Sequence, residues 1–140
     1  MSPRPPGARP LGFPRSSRIR RRSEFLLVQR RGRRRVQQDL VAVFLSRRPG
    51  ETEGTARVGF TVSKKVGNAV VRNRVKRRLR ESVQHSWAVL SDAPVDVVLI
   101  ARSSAADATS AALLAQVREA FRAIAGQSTK SAGRTSGGRR

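Results

Sequence analysis

A short amphipathic helix is predicted where the first apolar cluster of the chain begins. Ser23 is a candidate N-cap, the cluster from Phe25 to Val28 supplies the apolar side chains, and Gly32 is a suitable stop. The helix is flanked by arginines on both sides. We therefore expect the folded region to begin close to this helix.

Two strands are predicted after this helix. Residues 40–45 form a continuous apolar run, whereas residues 57–63 alternate apolar and small or polar side chains. The intervening segment 47–55 contains a Pro-Gly pair and has the composition of a loop. Because a hairpin-like loop joins the two strands, we expect them to pair antiparallel.

The second half of the chain predicts a helix, a strand and a closing helix. A long helix should begin after the N-cap candidate Asn68 and run to about His85 or Trp87. Its apolar stripe consists of Val71, Val75, Leu79 and Val83. A buried strand is expected at 95–101 and an amphipathic helix at 107–125, whose apolar residues are Leu114, Val117, Phe121 and Ile124. The order helix, two or three strands, helix, strand, helix predicts one α+β domain with helices packed on a small sheet.

Charge and composition narrow the class of partner. The chain carries 30 Lys and Arg against 9 Asp and Glu, a formal net charge of +21. Such an excess points to a polyanion. No apolar run approaches the roughly 20 residues that span a bilayer, and residues 1–18 lack the apolar core of a secretory signal. We therefore expect a cytoplasmic protein with a basic disordered arm at 1–18, a domain at 19–125 and a basic disordered tail at 126–140.

The predicted long helix carries the strongest binding signal. Its segment RNRVKRRLR, residues 72–80, holds six cations in nine residues. Like charges four residues apart destabilise a helix slightly, and cations near its N-terminus oppose its dipole. Arg72 and Arg74 beside helix-start N–H groups would instead form a phosphate-binding corner. A solvated charged face is the plainer alternative.

This helix also carries a family resemblance. The stretch RVGFTVSKKVGNAVVRNRVKRRLR, residues 57–80, is similar to the signature region of the bacterial ribonuclease P protein family. The upstream RRSEFLLVQRRGRR and the downstream VDVVLIAR fit the same family in order and spacing. The resemblance covers about residues 18 to 125 and implies a fold like the second domain of ribosomal protein S5, with the order α-β-β-β-α-β-α.

The resemblance implies two RNA-binding surfaces. Residues that match the family's contact to the catalytic ribonuclease P RNA are Arg72, Asn73, Arg74, Lys76, Arg77, Arg80, Lys64 and Lys65. A cleft for the single-stranded 5′ leader of precursor tRNA is expected to use Phe25 for stacking and Arg33, Arg34 and Arg35 for backbone charge. Phe25 is equally compatible with a core position. Gln29 and Val43 stand where aromatic residues are common in the family, which weakens the case for stacking.

The sequence gives no protein active site. The nine acids are scattered, His85 stands alone at a helix end, and cysteine is absent. The resemblance implies a non-catalytic protein subunit of ribonuclease P, in which the RNA uses Mg²⁺ for hydrolysis. Its partners would be the catalytic RNA and precursor tRNA, with no membrane and no small-molecule substrate. The alternative is a ribosomal or other structural RNA-binding protein without a role in processing.

Overall fold

The computed structural model describes residues 17–19, 21–47, 56–90 and 93–133, with the side chains of 127–133 excepted. Most of the predicted arm and of the 47–55 loop, and residues 134–140 of the predicted tail, lie outside these residues. The elements, in chain order, are α1 (Arg22–Arg31), β1 (Arg33–Val36), β2 (Leu40–Ser46), β3 (Arg57–Thr61), α2 (Ala69–Leu90), β4 (Val95–Ala101), a 3₁₀ helix (Ser103–Asp107) and α3 (Ser110–Gly133). This α+β order agrees with the predicted fold class.

The four strands form one mixed sheet in the order β1-β2-β4-β3. β2 is antiparallel to both β1 and β4, whereas β3 is parallel to β4. The predicted antiparallel pairing of β2 with β3 is therefore wrong. β4 lies between them. Five of its first six residues are buried, as is Ala101, and a strand that is apolar on both faces favours the centre of a sheet.

The sheet separates two apolar clusters. The larger cluster joins one face of the sheet to α2 and α3, and includes Phe44 and Phe121. Phe44 is thus a core residue, as its place in the β2 pattern predicts. The smaller cluster lies under α1 and consists of Ile19, Val28, Val43 and Val98. α1 covers one face of the sheet, and α2 and α3 cover the other. Side chains of the sheet are therefore available for binding mainly at its edges.

The long helix follows its predicted pattern and continues further. Val75, Leu79 and Val83 are fully buried and Val71 is half-buried. Trp87 and Leu90 are also buried, so that α2 runs to Leu90 rather than ending near Trp87. The added turn places the indole and the leucine in the core.

Two predicted helix starts are corrected. Ser23 is not an N-cap, because α1 begins at Arg22 and the carbonyl of Arg21 already accepts from the N–H groups of Glu24 and Phe25. α3 begins at Ser110 rather than near 107, since residues 103–107 form a separate 3₁₀ helix and the Thr109 hydroxyl accepts from the N–H of Ala112.

The far end of α3 also differs from the prediction. With the later start, Leu113 is fully buried and Leu114 is only half-buried. The helix continues to Gly133, past the expected start of the tail at Gly126. A Cβ at Gly126 would have nothing within 4 Å, so that this glycine is an exposed helical position. One such glycine weakens a helix without ending it.

Candidate nucleic-acid interface

The start of α2 is built by a tight turn. Asn68 is the predicted N-cap, and its Oδ1 accepts a hydrogen bond from the N–H of Val71 at 3.0 Å. Gly67 has φ +156°, and a Cβ there would lie 2.9 Å from the Val71 side chain, so that glycine suits both the backbone and the space. Lys64 and Lys65 are exposed in the turn just before this cap. The turn therefore sets two lysines beside the first turn of the cationic helix.

Three cations of α2 bind backbone carbonyls of the protein itself. Arg78 donates to the carbonyl of Ala108 at 2.7 Å, and Arg74 donates more weakly to that of Ala106 at 3.4 Å. Both carbonyls lie at the end of the 3₁₀ helix. Arg72 donates through Nε to the carbonyl of Gly67 at 3.1 Å. These bonds orient the three guanidinium groups and tie α2 to its neighbours.

The side of α2 that carries Lys76 and Arg80 borders a groove of about 500 Å³ at the β3 edge of the sheet. Its lining residues are Arg18, Ile19, Phe25, Val58, Phe60, Lys76 and Arg80. Ile19 donates its N–H to the carbonyl of Val58 at 3.0 Å, so that the segment before α1 runs along β3. The groove combines aromatic rings with cations, which is the combination that binds unpaired nucleic acid.

Phe25 and Arg80 supply the two kinds of group that a nucleotide needs. The ring of Phe25 is half-buried and lies against β3, where a Cβ on Gly59 would come within 2.6 Å of it. The ring therefore packs on the sheet and lines the groove at once. The Nε of Arg80 is buried and makes no hydrogen bond to another described residue. Arg80 also lines the groove, where its guanidinium group can donate to a phosphate oxygen.

The structure joins residues that the sequence assigned to two surfaces. Lys76 and Arg80, expected at the catalytic RNA, line the same groove as Phe25, expected at the leader. Asn73 and Arg77 are exposed on α2 outside the lining of this groove.

The three arginines at 33–35, by contrast, lie on β1 at the opposite edge of the sheet, and Arg35 pairs with Glu119 of α3. The sequence prediction grouped them with Phe25, and the structure does not bring them together. Val43 is fully buried beneath α1, so it offers no surface to a base.

Sequence reasoning missed two residues of the groove. Arg18 was assigned to the basic arm, yet it forms a parallel bridge with Val58. Phe60 was counted only as part of the β3 pattern, although it lines the groove. The signal that could have shown the first is Ile19, an isolated apolar residue among arginines that is only 5% exposed.

An ion-pair network holds α1 against the sheet beside the groove. Arg57 donates to both carboxylate oxygens of Asp96, at 2.9 and 2.8 Å, and to Glu24 of α1 at 3.0 Å. Arg47 also donates to Asp96. Hydrogen bonding to Asp96 raises the pKa of Arg57 above its ordinary value, burial opposes this shift, and Glu24 adds to it. Because Glu24 directly precedes Phe25, this network fixes the end of α1 that carries the ring.

The acids within the described residues do not fit a magnesium site. No group of three His, Asp or Glu side chains lies close enough to hold a metal ion among them. Both oxygens of Asp96 accept from arginine, and Asp39 accepts from the side-chain amide of Gln116 at 2.7 Å. His85 is exposed on α2.

Within the described part of the chain, no helix combines the length and apolarity needed to cross a membrane.

Comparison with known proteins identifies the family. A family model described as Ribonuclease P matches residues 13–125. The chain belongs to the ribonuclease P protein family. The ribonuclease P protein component of Gluconacetobacter diazotrophicus is 46% identical over 111 residues, which cover 77% of this chain and 90% of that protein. The component of Streptomyces avermitilis is 41% identical over 119 residues, covering 81% and 96%.

Solved structures of the family share the fold. The RNase P protein of Staphylococcus aureus matches with a TM-score of 0.66 and 27% identity, over 77% of this chain and 94% of that one. The RNase P protein of Thermotoga maritima matches with a TM-score of 0.64 and 26% identity, over 75% and 94%. The residues that the family model matches, 13–125, include all the groove residues of α1, β3 and α2.

Proposed function

We propose that this chain is the protein subunit of ribonuclease P and assists the endonucleolytic removal of the 5′ leader from precursor tRNA. Family membership supports the assembly with ribonuclease P RNA. The observation that carries the leader-binding role is the groove, in which Phe25 lies among Lys76 and Arg80. Precursor tRNA is made in the bacterial cytoplasm, and we propose that the chain acts there.

In this proposal, one set of residues on and before α2 binds the catalytic RNA and another set, in the groove, binds the leader. Lys64, Lys65, Asn73 and Arg77 are exposed on and before α2 and bind the backbone of the catalytic RNA. Arg72 and Arg74 add their free guanidinium nitrogens to that surface while they stay tied to Gly67 and Ala106. In the groove, Phe25 stacks on an unpaired base of the leader, and Lys76 and Arg80 bind its phosphates.

Catalysis is assigned to the RNA subunit. The described acids are dispersed or bonded to arginine and glutamine, so the described part of the protein supplies neither a metal cluster nor a general base positioned in the groove. Mg²⁺ bound by the RNA supplies the Lewis acid and the activated water for phosphodiester hydrolysis. The protein neutralises phosphates and positions the leader.

Reconstitution tests the proposal. The protein is added to ribonuclease P RNA of the same organism at low Mg²⁺, and cleavage of precursor tRNA at the mature 5′ end is measured. We expect a large gain with the wild-type protein and a smaller gain with Lys76→Ala/Arg80→Ala. A matched variant, Arg118→Ala/Arg122→Ala on α3, removes the same charge away from the groove and should keep most of the gain. A structural RNA-binding protein without a processing role would give no gain at all.

A further inference from the structure

β1 is an open edge of the sheet, remote from the groove. Among the described residues it pairs with β2 alone, and the sheet order places it at the opposite edge from β3. Three strand spacings separate β1 from β3, which is about 14 Å. The groove lies at the β3 edge. A polyanion bound at β1 would therefore occupy a different part of the protein surface.

The β1 edge carries a dense positive charge. Arg30 and Arg31 in the last turn of α1, and Arg33 and Arg34 at the start of β1, are all exposed. Among the described carboxylates, Glu119 pairs with Arg35, and none forms an ion pair with Arg30, Arg31 or Arg34. The helix dipole favours cations at the end of α1, and charge protects an edge strand from pairing. Arg30, Arg31 and Arg34 are three cations within five residues, which exceed what either effect requires, and their like charges repel one another.

The backbone of β1 adds hydrogen-bond donors to this charge. The N–H of Gln37 donates to the carbonyl of Leu40, and the register then makes Arg35 with Ala42 the next hydrogen-bonded pair. The N–H groups of Arg34 and Val36 consequently point away from β2 into the open edge. Guanidinium and backbone N–H groups together match phosphate oxygens.

We propose that the β1 edge and the last turn of α1 form a second RNA-binding site, which holds the backbone of a helical segment of the catalytic RNA. The site rests on the proposed function and reassigns Arg33 and Arg34 from the leader. Unpaired nucleic acid is held by stacking on aromatic rings, and β1 and the last turn of α1 contain none. An open, cationic edge fits the phosphates of helical RNA, which is recognised by shape and backbone.

Tethered cleavage tests which RNA lies at this edge. The chain has no cysteine, so a single introduced one is a unique attachment point for an iron chelate that generates hydroxyl radicals. Three exposed valines give matched variants: Val36→Cys on β1, 60% exposed; Val70→Cys on the cationic turn of α2, 72% exposed; and Val89→Cys near the end of α2, 37% exposed. None of the three removes an arginine. Val70 and Val89 are about 28 Å apart along the helix.

In the holoenzyme with precursor tRNA, the Val36 probe should cut a helical segment of the catalytic RNA that the Val70 probe does not cut. Cuts confined to the leader, or no cuts above those of the Val89 probe, would overturn the second site. If the Val70 probe also cuts no catalytic RNA, the proposed function fails as well. Cuts from Val70 without cuts from Val36 would contradict the second site alone.

Charge removal gives an independent readout. The variant Arg30→Ala/Arg34→Ala should bind the catalytic RNA more weakly, with a salt slope flatter by about one unit per lost phosphate contact, and should keep its preference for precursor over mature tRNA. The matched control is Arg118→Ala/Arg122→Ala. If the β1 arginines serve only to protect the edge, the variant will self-associate in sedimentation and bind the catalytic RNA as the control does. That result, or a lost precursor preference, would contradict the proposal.

Discussion

Gly59 determines where the ring of Phe25 lies. A Cβ at position 59 would stand 2.6 Å from two ring carbons of Phe25 and 3.2 Å from the Ile19 side chain. Only a hydrogen at this position lets the ring rest on β3. The two sequence interpretations of Phe25, core or stacking face, are thus compatible, because one ring face packs on the sheet while the side chain still borders the groove.

Gly59→Ala should displace the ring and weaken the leader contact. The clash falls on the far end of a side chain that can rotate, so we expect the fold to survive. At saturating protein, the preference of the holoenzyme for precursor over mature tRNA should fall by about 1–3 kcal/mol, as it should for Phe25→Ala, if one base stacks there. Affinity for the catalytic RNA should stay nearly unchanged, which filter binding can measure.

The control for this variant is Gly126→Ala, the same change at a position where a Cβ meets nothing within 4 Å. It should leave the preference for precursor intact. Circular dichroism must show that both variants and Phe25→Ala are folded. Full preference in folded Gly59→Ala and folded Phe25→Ala would show that the ring does not touch the leader.

Asp96 is the residue on which the ion-pair network depends. It is 6% exposed and accepts from both Arg47 and Arg57. Asp96→Ala removes the carboxylate that both guanidinium groups share and leaves Arg57 only its ion pair with Glu24, so that it should cost about 3–5 kcal/mol of unfolding free energy in urea. Glu81→Ala, which removes an exposed acid, should stay within about 0.5 kcal/mol. A loss at Asp96 no larger than at Glu81 would contradict this.

The same network has a predictable pH dependence. The pKa of Arg57 is raised in the folded protein, so that its contribution to stability is fully present below the unfolded pKa and declines only as the pH rises through the folded value. Both values are strongly alkaline. Titration of Arg57 should therefore not change the urea midpoint between neutral and moderately alkaline pH.

At the scale of elements, periodicity predicted most helices and strands, and neighbours in the sheet were harder to predict. The apolar runs of β2 and β4 and the stripe of α2 are local signals, and each marks a real element. The pairing of β2 with β4 joins segments about fifty residues apart, and no local pattern encodes it. The missed signal was the composition of β4, which is apolar on both faces and so belongs at the centre.

Two elements carry weak sequence signals for physical reasons. β1 reads RRRV, which lacks the usual apolar alternation, because an edge strand with mostly exposed side chains needs none. The 3₁₀ helix at 103–107 is short and made of small residues, and its carbonyls are held by Arg74 and Arg78 from α2. A contact of this kind depends on tertiary packing, so the sequence alone did not predict it.

The junction of α1 and β1 depends on Gly32 for space alone. Its φ of −78° suits any residue, yet a Cβ would lie 2.5 Å from the carbonyl oxygen of Val28 and 2.8 Å from that of Phe44. Backbone atoms move less readily than a side-chain end. Gly32→Ala should therefore destabilise the protein by about 1–3 kcal/mol, measured by urea unfolding.

The matched change at the exposed helical position, Gly126→Ala, should instead stabilise the protein by about 0.5–1 kcal/mol. Both substitutions add one methyl group: at Gly32 it clashes with backbone atoms, whereas at Gly126 it meets nothing and only lowers the conformational entropy of the unfolded chain. Equal effects at the two positions would show that the α1–β1 junction rearranges without cost.

For the whole molecule, the positions of the cations on the fold say more about RNA binding than the total charge does. The net charge predicted a polyanion partner, the spacing of the apolar residues predicted the helix that carries the cations, and the family resemblance predicted that the partner is RNA. The family resemblance placed Arg33 to Arg35 with Phe25 in one cleft for the leader. The structure separates them, since α1 runs from the β3 edge, where Phe25 lies, and leads into β1 at the other edge.

Because the net charge is +21, added salt should stabilise the free protein but weaken its binding to the catalytic RNA. Raising the ionic strength from about 0.01 M to about 0.15 M shortens the Debye length from about 30 Å to about 8 Å. Repulsion among the cations is then screened, and the urea midpoint of the free protein should rise. Affinity for the catalytic RNA should fall over the same range, because salt competes with phosphate contacts.

A charge-reduced variant provides the control for this prediction. Arg77→Gln/Arg122→Gln removes two exposed cations that form no ion pair with a described residue, and it should make the urea midpoint less sensitive to salt. A midpoint that falls as salt rises would mean that screening of attractive pairs such as Arg57 with Asp96 outweighs relief of repulsion. The excess charge would then not destabilise the free protein, and repulsion among its cations would no longer support the inference of a polyanion partner.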